Sequence, residues 1–273
     1  KLSDLPGAMR LFRQTDAIVH LSEALDHPNR MFQLAHVIGL LEARGIVQGY
    51  VEKSHIDDDA GRARLTVELT NYFAAALLMP YAEFVELAES TRYDLDRLSA
   101  AFGVSFEMVA QRLTTLQRDG QRGIPFFFLR VDRAGNVSKR FNATTIALAE
   151  AGGACPVWDI HGAFQLPGQI LPQFVEMPDK GRFFTLSRTS DRPVLGLHAR
   201  QRRLVVAIGC DVDHAAQIGY AQRFNMDDTS LFASIGTSCH VCPRQACAQR
   251  AHQPVHVTLT VDANRRGQTR YES

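Results

Sequence analysis

The sequence lacks any long run of apolar residues. Even the stretch Phe73–Met79 is far shorter than the roughly 20 residues that a membrane-spanning helix needs. The first residues, from Lys1 to Asp4, contain no charged-then-apolar leader. We therefore expect a cytoplasmic protein without a membrane partner. Since the sequence does not begin with Met, we also expect a fragment of a longer chain.

The sequence also lacks a strong net charge and any familiar catalytic signature. Its formal charge is +1, so the chain as a whole has no attraction for nucleic acid. It contains no glycine-rich phosphate loop, no G-x-S-x-G motif and no convincing Ser/His/Asp arrangement. Hydrophobic residues make up 45% and charged residues 22%, which is typical of a globular protein. We therefore predict a folded protein that is not an enzyme.

Cysteines form the densest cluster of reactive side chains in the sequence. Three of the five cysteines follow the spacing C-x2-C-x4-C at Cys239, Cys242 and Cys247, and Cys210 lies upstream. Crowded thiolates bind soft metals well, so these four residues predict a four-thiolate metal site. Cys155 is interpreted as a structural residue, or as a replacement for Cys210 as the fourth ligand.

Two metals suit four thiolates, namely zinc and the iron of an iron–sulfur cluster. The spacing lacks the paired C-x2-C motifs of a zinc ribbon. It therefore favours a 4Fe-4S cluster, with zinc as the alternative. A disulfide or inert core thiols are further alternatives, although clustered cysteines in a cytosolic protein usually bind metal.

The first half of the chain is predicted to be a helical domain spanning residues 1–123. Apolar residues recur every three to four positions through residues 8–50, which predicts two helices with Asn29 as the N-cap of the second. A third helix is predicted from about Leu65 to Met79, where Pro80 would end it.

Two segments of this half, residues 30–36 and 68–80, resemble the IrrE-like (M78) metallopeptidase domain. That family carries H-E-x-x-H on the earlier helix, where two histidines bind zinc and the glutamate acts as the base. Here His36 is followed by Val37 at the base position and Leu40 at the second ligand position. Glu68 matches the later acidic ligand, but it and His36 are too few to hold a catalytic zinc. The resemblance therefore implies an inactive, degenerate domain with an apolar cleft.

Residues 93–117 have the pattern of an internal helix-turn-helix, with Gly103 at the turn. The outward residues of its second helix would include Glu107, Gln111 and Arg112. Only one of these is basic, so the segment is interpreted chiefly as a packing unit. DNA binding through this helix-turn-helix remains an alternative function.

The periodicity changes at residue 124, and residues 124–273 are predicted to form a mixed α/β sensor domain of PAS/GAF type. Residues 125–141 predict a hairpin that turns at residues 132–136. Further strands are predicted at residues 182–188, 203–208 and 255–261, with a helix over residues 213–224. The predicted class is α+β: a helical domain followed by a mixed sheet domain that carries the cysteine-rich segment.

Four segments of this half, residues 152–164, 177–179, 208–215 and 239–251, resemble the short-chain fatty acyl transcriptional regulators. The resemblance implies a sensor of short-chain acyl-CoA, with propionyl-CoA expected, that controls propionate and methylcitrate genes as a homo-oligomer. It also implies a DNA-binding domain of the Xre type outside this chain, and an iron–sulfur cluster at Cys210, Cys239, Cys242 and Cys247. The alternative is a zinc-stabilised structural or oligomerisation module.

An acyl-CoA site needs cations for phosphates, an aromatic ring for adenine and a small apolar pocket. Val37, Leu40 and Tyr72 are candidates for the apolar end, as walls of the former peptidase cleft. Arg92 is the candidate phosphate contact and Tyr93 the candidate stacking ring. Ordinary roles, a solvated arginine and a packed tyrosine, remain open for these last two residues.

Overall fold

The structure is a computed structural model that describes residues 8–148, 153–191, 202–245, 247–256, 258 and 264. The chain divides into two compact units. The first is built from residues up to Ser90 and from Leu95–Arg112, and the second from Thr91–Asp94 and most of the chain after Leu113. No helix in the described part of the chain is long and apolar enough to cross a membrane.

The first unit contains a small hairpin and all of the α-helices described. The helices are α1 (His27–Glu42), α2 (Arg44–Glu52), α3 (Asp59–Leu78), α4 (Tyr81–Ser90), α5 (Leu95–Phe102) and α6 (Phe106–Leu113). The hairpin pairs β1 (Arg10–Arg13) with β2 (Ile18–Leu21) in antiparallel register. The prediction of helix for the first part of residues 8–50 is therefore wrong. Apolar residues in these two stretches are few and also fit a helical spacing, but the backbone pairs them strand against strand.

Side-chain caps begin the two long helices. Asp26 accepts a hydrogen bond from the backbone N–H of Asn29 at 2.9 Å, so Asp26 is the N-cap of α1 and the prediction of Asn29 is wrong. Asp58 accepts from the backbone N–H of Gly61 at 2.6 Å at the start of α3. The predicted third helix is confirmed, and it ends one residue before Met79, ahead of Pro80.

Helix α1 packs closely on α3 because Gly39 has no side chain. A Cβ atom at Gly39 would lie 2.8 Å from Cδ1 of Phe73 and 3.0 Å from Cγ2 of Thr70. Helices α2 and α3 enclose a small apolar core whose buried members are Ala43, Val47 and Val51. The first unit is therefore held by helix-on-helix packing, as the apolar periodicity predicts.

The helix-turn-helix is present, but its second helix does not present the predicted side chains to solvent. Helices α5 and α6 meet at Gly103, whose φ of +63° suits glycine. Glu107 is 7% exposed and Arg112 only 2% exposed. The Nε atom of Arg112 donates to the carbonyl oxygen of Met79 at 3.1 Å. The expectation that Glu107 and Arg112 point outward is wrong, because α6 turns them into the first unit.

The second unit is organised on a six-stranded sheet of order β4-β3-β7-β6-β5-β8. Its strands are β3 (Phe127–Val131), β4 (Val137–Asn142), β5 (Leu171–Glu176), β6 (Arg182–Asp191), β7 (Arg203–Asp211) and β8 (Phe232–Ser234). All neighbours are antiparallel except β5 and β8. The α+β class and the predicted β3–β4 hairpin are confirmed, whereas the PAS/GAF likeness remains a prediction.

Two other predictions for this unit have different outcomes. Residues 213–224 form short 3-10 turns at Val212–Gln217 and Gly219–Ala221 instead of a helix. The backbone N–H of Gly219 donates to the carbonyl of Arg92 at 2.8 Å, so a tertiary contact takes a donor that a helix would use. The predicted strand at 255–261 lies largely outside the described residues, and its first two residues are in a turn.

The two faces of the sheet carry different side chains. One face holds a core cluster that includes Phe127, Val205, Ala207, Phe183, Val175, Trp158 and Cys155. Successive side chains of a strand point to opposite faces. Ala207 of β7 belongs to the core cluster, and therefore Cys210, three positions further along β7, points to the opposite face.

Candidate metal-binding site

Four of the five cysteines line one small cavity in the second unit. The cavity has a volume of about 10 Å³, and its walls include Cys155, Cys239, Cys242 and Cys247. Two arginines, Arg244 and Arg250, also line this cavity. The structure thus brings together the C-x2-C-x4-C triplet and a cysteine that lies more than 80 positions earlier in the sequence.

The triplet is positioned by the edge of the sheet. After β8, the backbone N–H of Ile235 donates to the carbonyl of Glu176 at 3.0 Å. Arg244 then binds both residues, since its Nε donates to the carbonyl of Ile235 at 2.9 Å and its Nη2 to that of Glu176 at 2.7 Å. The cysteine segment is therefore attached to β5 by one arginine as well as by the short strand.

Gly236 lets the Cys242 thiol come close to the chain. A Cβ atom at Gly236 would lie 2.7 Å from Sγ of Cys242. Real Cβ atoms do not approach other heavy atoms so closely, so any larger residue at this position would displace the sulfur. Gly236 is part of the wall of the same cavity.

Cys155 reaches the cavity from the core. The backbone N–H of Ala154 donates to the carbonyl of Gly135 at 2.9 Å, and that of Trp158 donates to the carbonyl of Cys155 at 3.0 Å. Burial raises the pKa of the Cys155 thiol, and backbone hydrogen bonds from Gly236 and Val157 act in the opposite direction. Its sulfur thus lies between a backbone donor of the core segment and one of the cysteine segment.

Cys210 is not brought to the other three. It is fully buried in β7, opposite Phe184 of β6, on the sheet face that is turned away from Cys155. Burial raises the pKa of its thiol far above the ordinary value, which keeps it protonated. The fourth cysteine that lines the cavity with the triplet is therefore Cys155, and the predicted role of Cys210 as a ligand stays a prediction.

Arg250 supplies a buried positive charge beside the thiols. Its side chain is 7% exposed, and one guanidinium nitrogen donates to the carbonyl of Arg244. The other terminal nitrogen, Nη1, has no hydrogen-bond partner among the described residues. A buried cation with a spare donor suits an anionic neighbour, and thiolates bound to a metal form an anionic group.

The thiols are near one another but are not gathered around a common point. In the described part of the chain, no group of three or more His, Cys, Asp or Glu side chains is arranged to hold a metal ion. The donor type, the shared cavity and the buried guanidinium nevertheless fit a metal–thiolate group. A cleft of about 470 Å³ shares Ser234, Arg244 and Cys247 with the cavity.

Tyr93 and Arg92, the predicted contacts for adenine and phosphate, both make hydrogen bonds with other residues of the second unit. Tyr93 is 3% exposed, and its hydroxyl accepts a hydrogen bond from the backbone N–H of Ile124 at 3.1 Å. Its ring packs on Phe126, with 5.6 Å between the centroids. Tyr93 therefore has no open face for a base, and its assignment as a stacking ring is wrong. Arg92 is exposed, and its Nη2 donates to the carbonyl of Ala216 at 2.6 Å.

The predicted apolar walls lie in the first unit. Val37 is buried at 5% exposure, Leu40 is half-buried and Tyr72 is 49% exposed. The guanidinium of Arg112 lies 5.7 Å from the ring centroid of Tyr72. Val37 therefore belongs to the packed interior, whereas Leu40 and Tyr72 keep surface that a ligand can reach, so their acyl-group contact remains a prediction.

His36 is a core histidine. It is 5% exposed, and burial, followed by the charge of Arg10, lowers its pKa to about 4. Its Nδ1 has no hydrogen-bond partner among the described residues. The carboxylate of Glu68 pairs with Arg64 at 2.9 Å. The two matching positions of the metallopeptidase motif thus serve packing and surface pairing.

Sequence reasoning missed Arg244, Arg250 and Gly236, which all contribute to the cysteine cavity. Arg244 and Arg250 stand next to the triplet in the sequence, at fixed distances from Cys242 and Cys247. Basic residues among clustered cysteines are the signal that could have indicated a charge-balanced thiolate site. No local signal marks Gly236, since its role depends on the fold around Cys242.

Two family models match this chain. The model of the short-chain fatty acyl coenzyme A regulator C-terminal domain matches residues 115–271, which contain the sheet and all five cysteines. The model of the IrrE N-terminal-like domain of the M78 peptidases matches residues 2–114. Together the two matches cover both units.

Similar proteins of known sequence and structure are regulators as well. The chain is 41% identical to the propionyl-CoA carboxylase regulator of Cereibacter sphaeroides, over 100% of this chain and 58% of that protein. It is 38% identical to the HTH-type transcriptional regulator PrpR of Mycobacterium tuberculosis, over 97% of this chain and 55% of that protein. A solved structure of a Mycobacterium tuberculosis transcriptional regulator superposes with a TM-score of 0.92 at 37% identity, covering 98% of this chain and 81% of that one.

Proposed function

Because the chain belongs to the family of short-chain fatty acyl coenzyme A regulators, we propose that it is the ligand-sensing portion of a bacterial transcriptional regulator. The ligand we propose is a short-chain acyl-CoA, with propionyl-CoA the first choice. The observation that carries this proposal is the match of the regulator model to residues 115–271, which make up most of the second unit. The name of the Cereibacter sphaeroides relative supports the choice of a three-carbon acyl group.

DNA binding is proposed for a longer protein and not for this chain. The chain spans little more than half the length of the relatives named above. Within it, helix α6 turns Glu107 and Arg112 inward, so the internal helix-turn-helix lacks two of the side chains that would read a groove. The relatives are named as regulators, so the chain is a regulator domain and not a peptidase.

Calorimetry with three ligands tests the proposed ligand. Burial of an acyl tail is worth about 0.8 kcal/mol per carbon, so propionyl-CoA should bind roughly tenfold or more tightly than free CoA. Palmitoyl-CoA should bind more weakly than propionyl-CoA, because a short pocket excludes its chain. Equal affinities for free CoA and propionyl-CoA would overturn the proposal of an acyl sensor.

One variant locates the phosphates of this ligand. Arg92→Ala should weaken propionyl-CoA binding if the exposed guanidinium contacts phosphate, whereas Arg133→Ala, in the exposed turn between β3 and β4, should not. Equal binding by wild type and both variants would leave the ligand class intact and move the phosphate contact elsewhere.

The second part of the proposal is a metal centre at the cysteine cavity. The C-x2-C-x4-C spacing supports a 4Fe-4S cluster, which would supply a rigid cross-link and a redox-active group. Zinc is the second candidate, and the cavity volume of about 10 Å³ favours it, since a single ion needs little room. Anaerobic purification, an absorbance spectrum, and iron, sulfide and zinc analysis separate the two. Protein that contains neither metal would overturn this part.

A further inference from the structure

We propose that Cys155, and not Cys210, is the fourth thiolate of the metal site, and that the Arg250 guanidinium balances the charge of the thiolates. This inference rests on the metal centre of the proposed function. It names a ligand set that the spacing of the cysteines does not reveal.

The placement of the thiols is the first reason. Cys155 lines the same cavity as Cys239, Cys242 and Cys247, whereas Cys210 does not. The sheet itself separates Cys210 from this cavity, because Cys210 faces away from the core cluster to which Cys155 belongs. Moving Cys210 to the cavity would require β7 to shift by one residue, which would turn every side chain of the strand to the wrong face.

The chain around Cys155 provides the second reason. Backbone N–H groups of Gly236 and Val157 hydrogen-bond the Cys155 sulfur. Gly236 belongs to the cysteine segment and Val157 to the core segment, so donors from both sides converge on one sulfur. The two donors thus hold the Cys155 sulfur where the cysteine segment meets the core segment, beside the thiols of the triplet.

The third reason is the charge of Arg250. Its Nη1 has no hydrogen-bond partner among the described residues, although the side chain is more than nine-tenths buried in the wall of the cavity. Four thiolates exceed the charge of one divalent ion, so the bound group is anionic. An anionic group in the cavity gives the buried guanidinium the partner it lacks.

This ligand set has a structural consequence. Cys155 is three residues from Trp158, and both belong to the core cluster beneath the sheet. A metal bound to Cys155 and to the triplet therefore joins the cysteine segment directly to the core of the second unit. Loss of the metal would release the segment and leave the sheet in place.

Two matched variants test the ligand set in the whole chain, with metal content as the readout. Cys210→Ala should keep the wild-type metal content and absorbance spectrum, because Cys210 sits in an apolar environment away from the cavity. Cys155→Ser should lower the metal content at least about tenfold, in line with the removal of a ligand. Far-UV circular dichroism of both variants verifies that each is folded.

The Cys210→Ala variant keeps the test decisive if Cys155→Ser does not fold. The chain has five cysteines, so a metal held by four sulfurs in Cys210→Ala must include Cys155, and X-ray absorption at the metal edge counts those sulfurs for zinc. For an iron–sulfur cluster, an unchanged cluster spectrum and iron content in Cys210→Ala serve the same purpose. Loss of metal from Cys210→Ala, or full metal content in a folded Cys155→Ser, would overturn the proposed ligand set but not the metal centre itself. A wild-type chain without metal would overturn the metal centre of the proposed function as well.

Arg250→Met and Arg250→Lys test the charge. Arg250→Met should lose its metal to a chelator at least about tenfold faster than wild type, while Arg250→Lys should be closer to wild type because it keeps the charge. Equal rates in wild type and Arg250→Met would overturn the role of Arg250.

Discussion

Each unit buries one side chain of a type that can bind a metal, but the residues around the two side chains differ. In the first unit, His36 is packed in a helical interior with its Nδ1 unpaired among the described residues, and the neighbouring motif positions hold Val37 and Leu40. In the second unit, Cys155 shares a cavity with three other thiols and with Arg250.

Burial and residue type alone do not make a metal site. His36 responds to burial by a pKa lowered to about 4, and it stays neutral. Burial raises the pKa of the Cys155 thiol, and backbone hydrogen bonds from Gly236 and Val157 act against this rise, while Arg250 lines the same cavity. Convergence of several donors with a balancing charge distinguishes the second environment from the first.

The largest effect is expected from Cys239→Ser. The variant should lose its metal and up to about 4 kcal/mol of stability, which is the linkage expected when a ligand is present at about 1,000 times its dissociation constant. The only tryptophan is Trp158, in the core of the second unit, so its fluorescence follows the unfolding of that unit. His36→Gln is the matched change in the first unit and should keep the full metal content. Equal metal in Cys239→Ser and wild type would remove the contrast between the units.

The next effect is a pH dependence confined to the first unit. The folded pKa of His36, about 4, lies below its ordinary value of 6.5, so the unfolded chain takes up the proton first. The stability that neutral His36 provides is complete above pH 6.5 and is lost as the pH falls toward 4, by up to about 3 kcal/mol. Urea unfolding followed by circular dichroism at 222 nm reports the helices. His36→Gln should show a smaller loss over this range, and parallel curves for the two proteins would contradict the assignment.

A smaller effect is expected from Gly39→Ala, where α1 meets α3. The new methyl group would collide with the ring of Phe73, and overpacking of this kind costs about 1–3 kcal/mol. Gly49→Ala is the control, because a methyl group there meets nothing within 4 Å and should slightly stabilise α2. The helical signal should report the loss in Gly39→Ala while the metal content stays unchanged. A Gly39→Ala protein as stable as Gly49→Ala would show that the helices can move apart freely.

The smallest effect is expected from Gly236→Ala in the second unit. Its methyl group would push Sγ of Cys242 out of place, and this should weaken the metal by about tenfold, or about 1.4 kcal/mol. The unfolding of the metal-free protein should hardly change, because a thiol at the end of a side chain can rotate away. Competition with a chromogenic chelator measures the affinity, and a value equal to that of wild type would argue against Cys242 as a ligand.

Much of the fold follows from sequence periodicity, and the exceptions have physical reasons. Helices α1, α3, α5 and α6 match their apolar patterns because each buries one face. Strand β5 escaped prediction because it contains Pro172, a residue that usually marks the absence of a strand. The hairpin at residues 10–21 was hidden because its few apolar residues also fit a helical spacing.

The candidate site was predictable only in part. The triplet Cys239, Cys242 and Cys247 is evident from spacing, since nearby residues in the sequence stay nearby in space. Cys155 and Cys210 are both distant in sequence, and only the register of β7 decides which one faces the cavity. Register depends on the whole sheet, so spacing could not distinguish the two.

The short strand β8 should also affect how fast the backbone amides of the cysteine segment exchange with solvent. Strand β8 joins the sheet through three residue pairs with β5, whereas β6 and β7 share nine. Without metal, its amides and those of the cysteine segment should exchange with deuterium through local opening, long before the amides of β6 and β7. With metal bound, the segment can open only when the core around Trp158 opens, so metal would convert fast exchange into exchange limited by global unfolding.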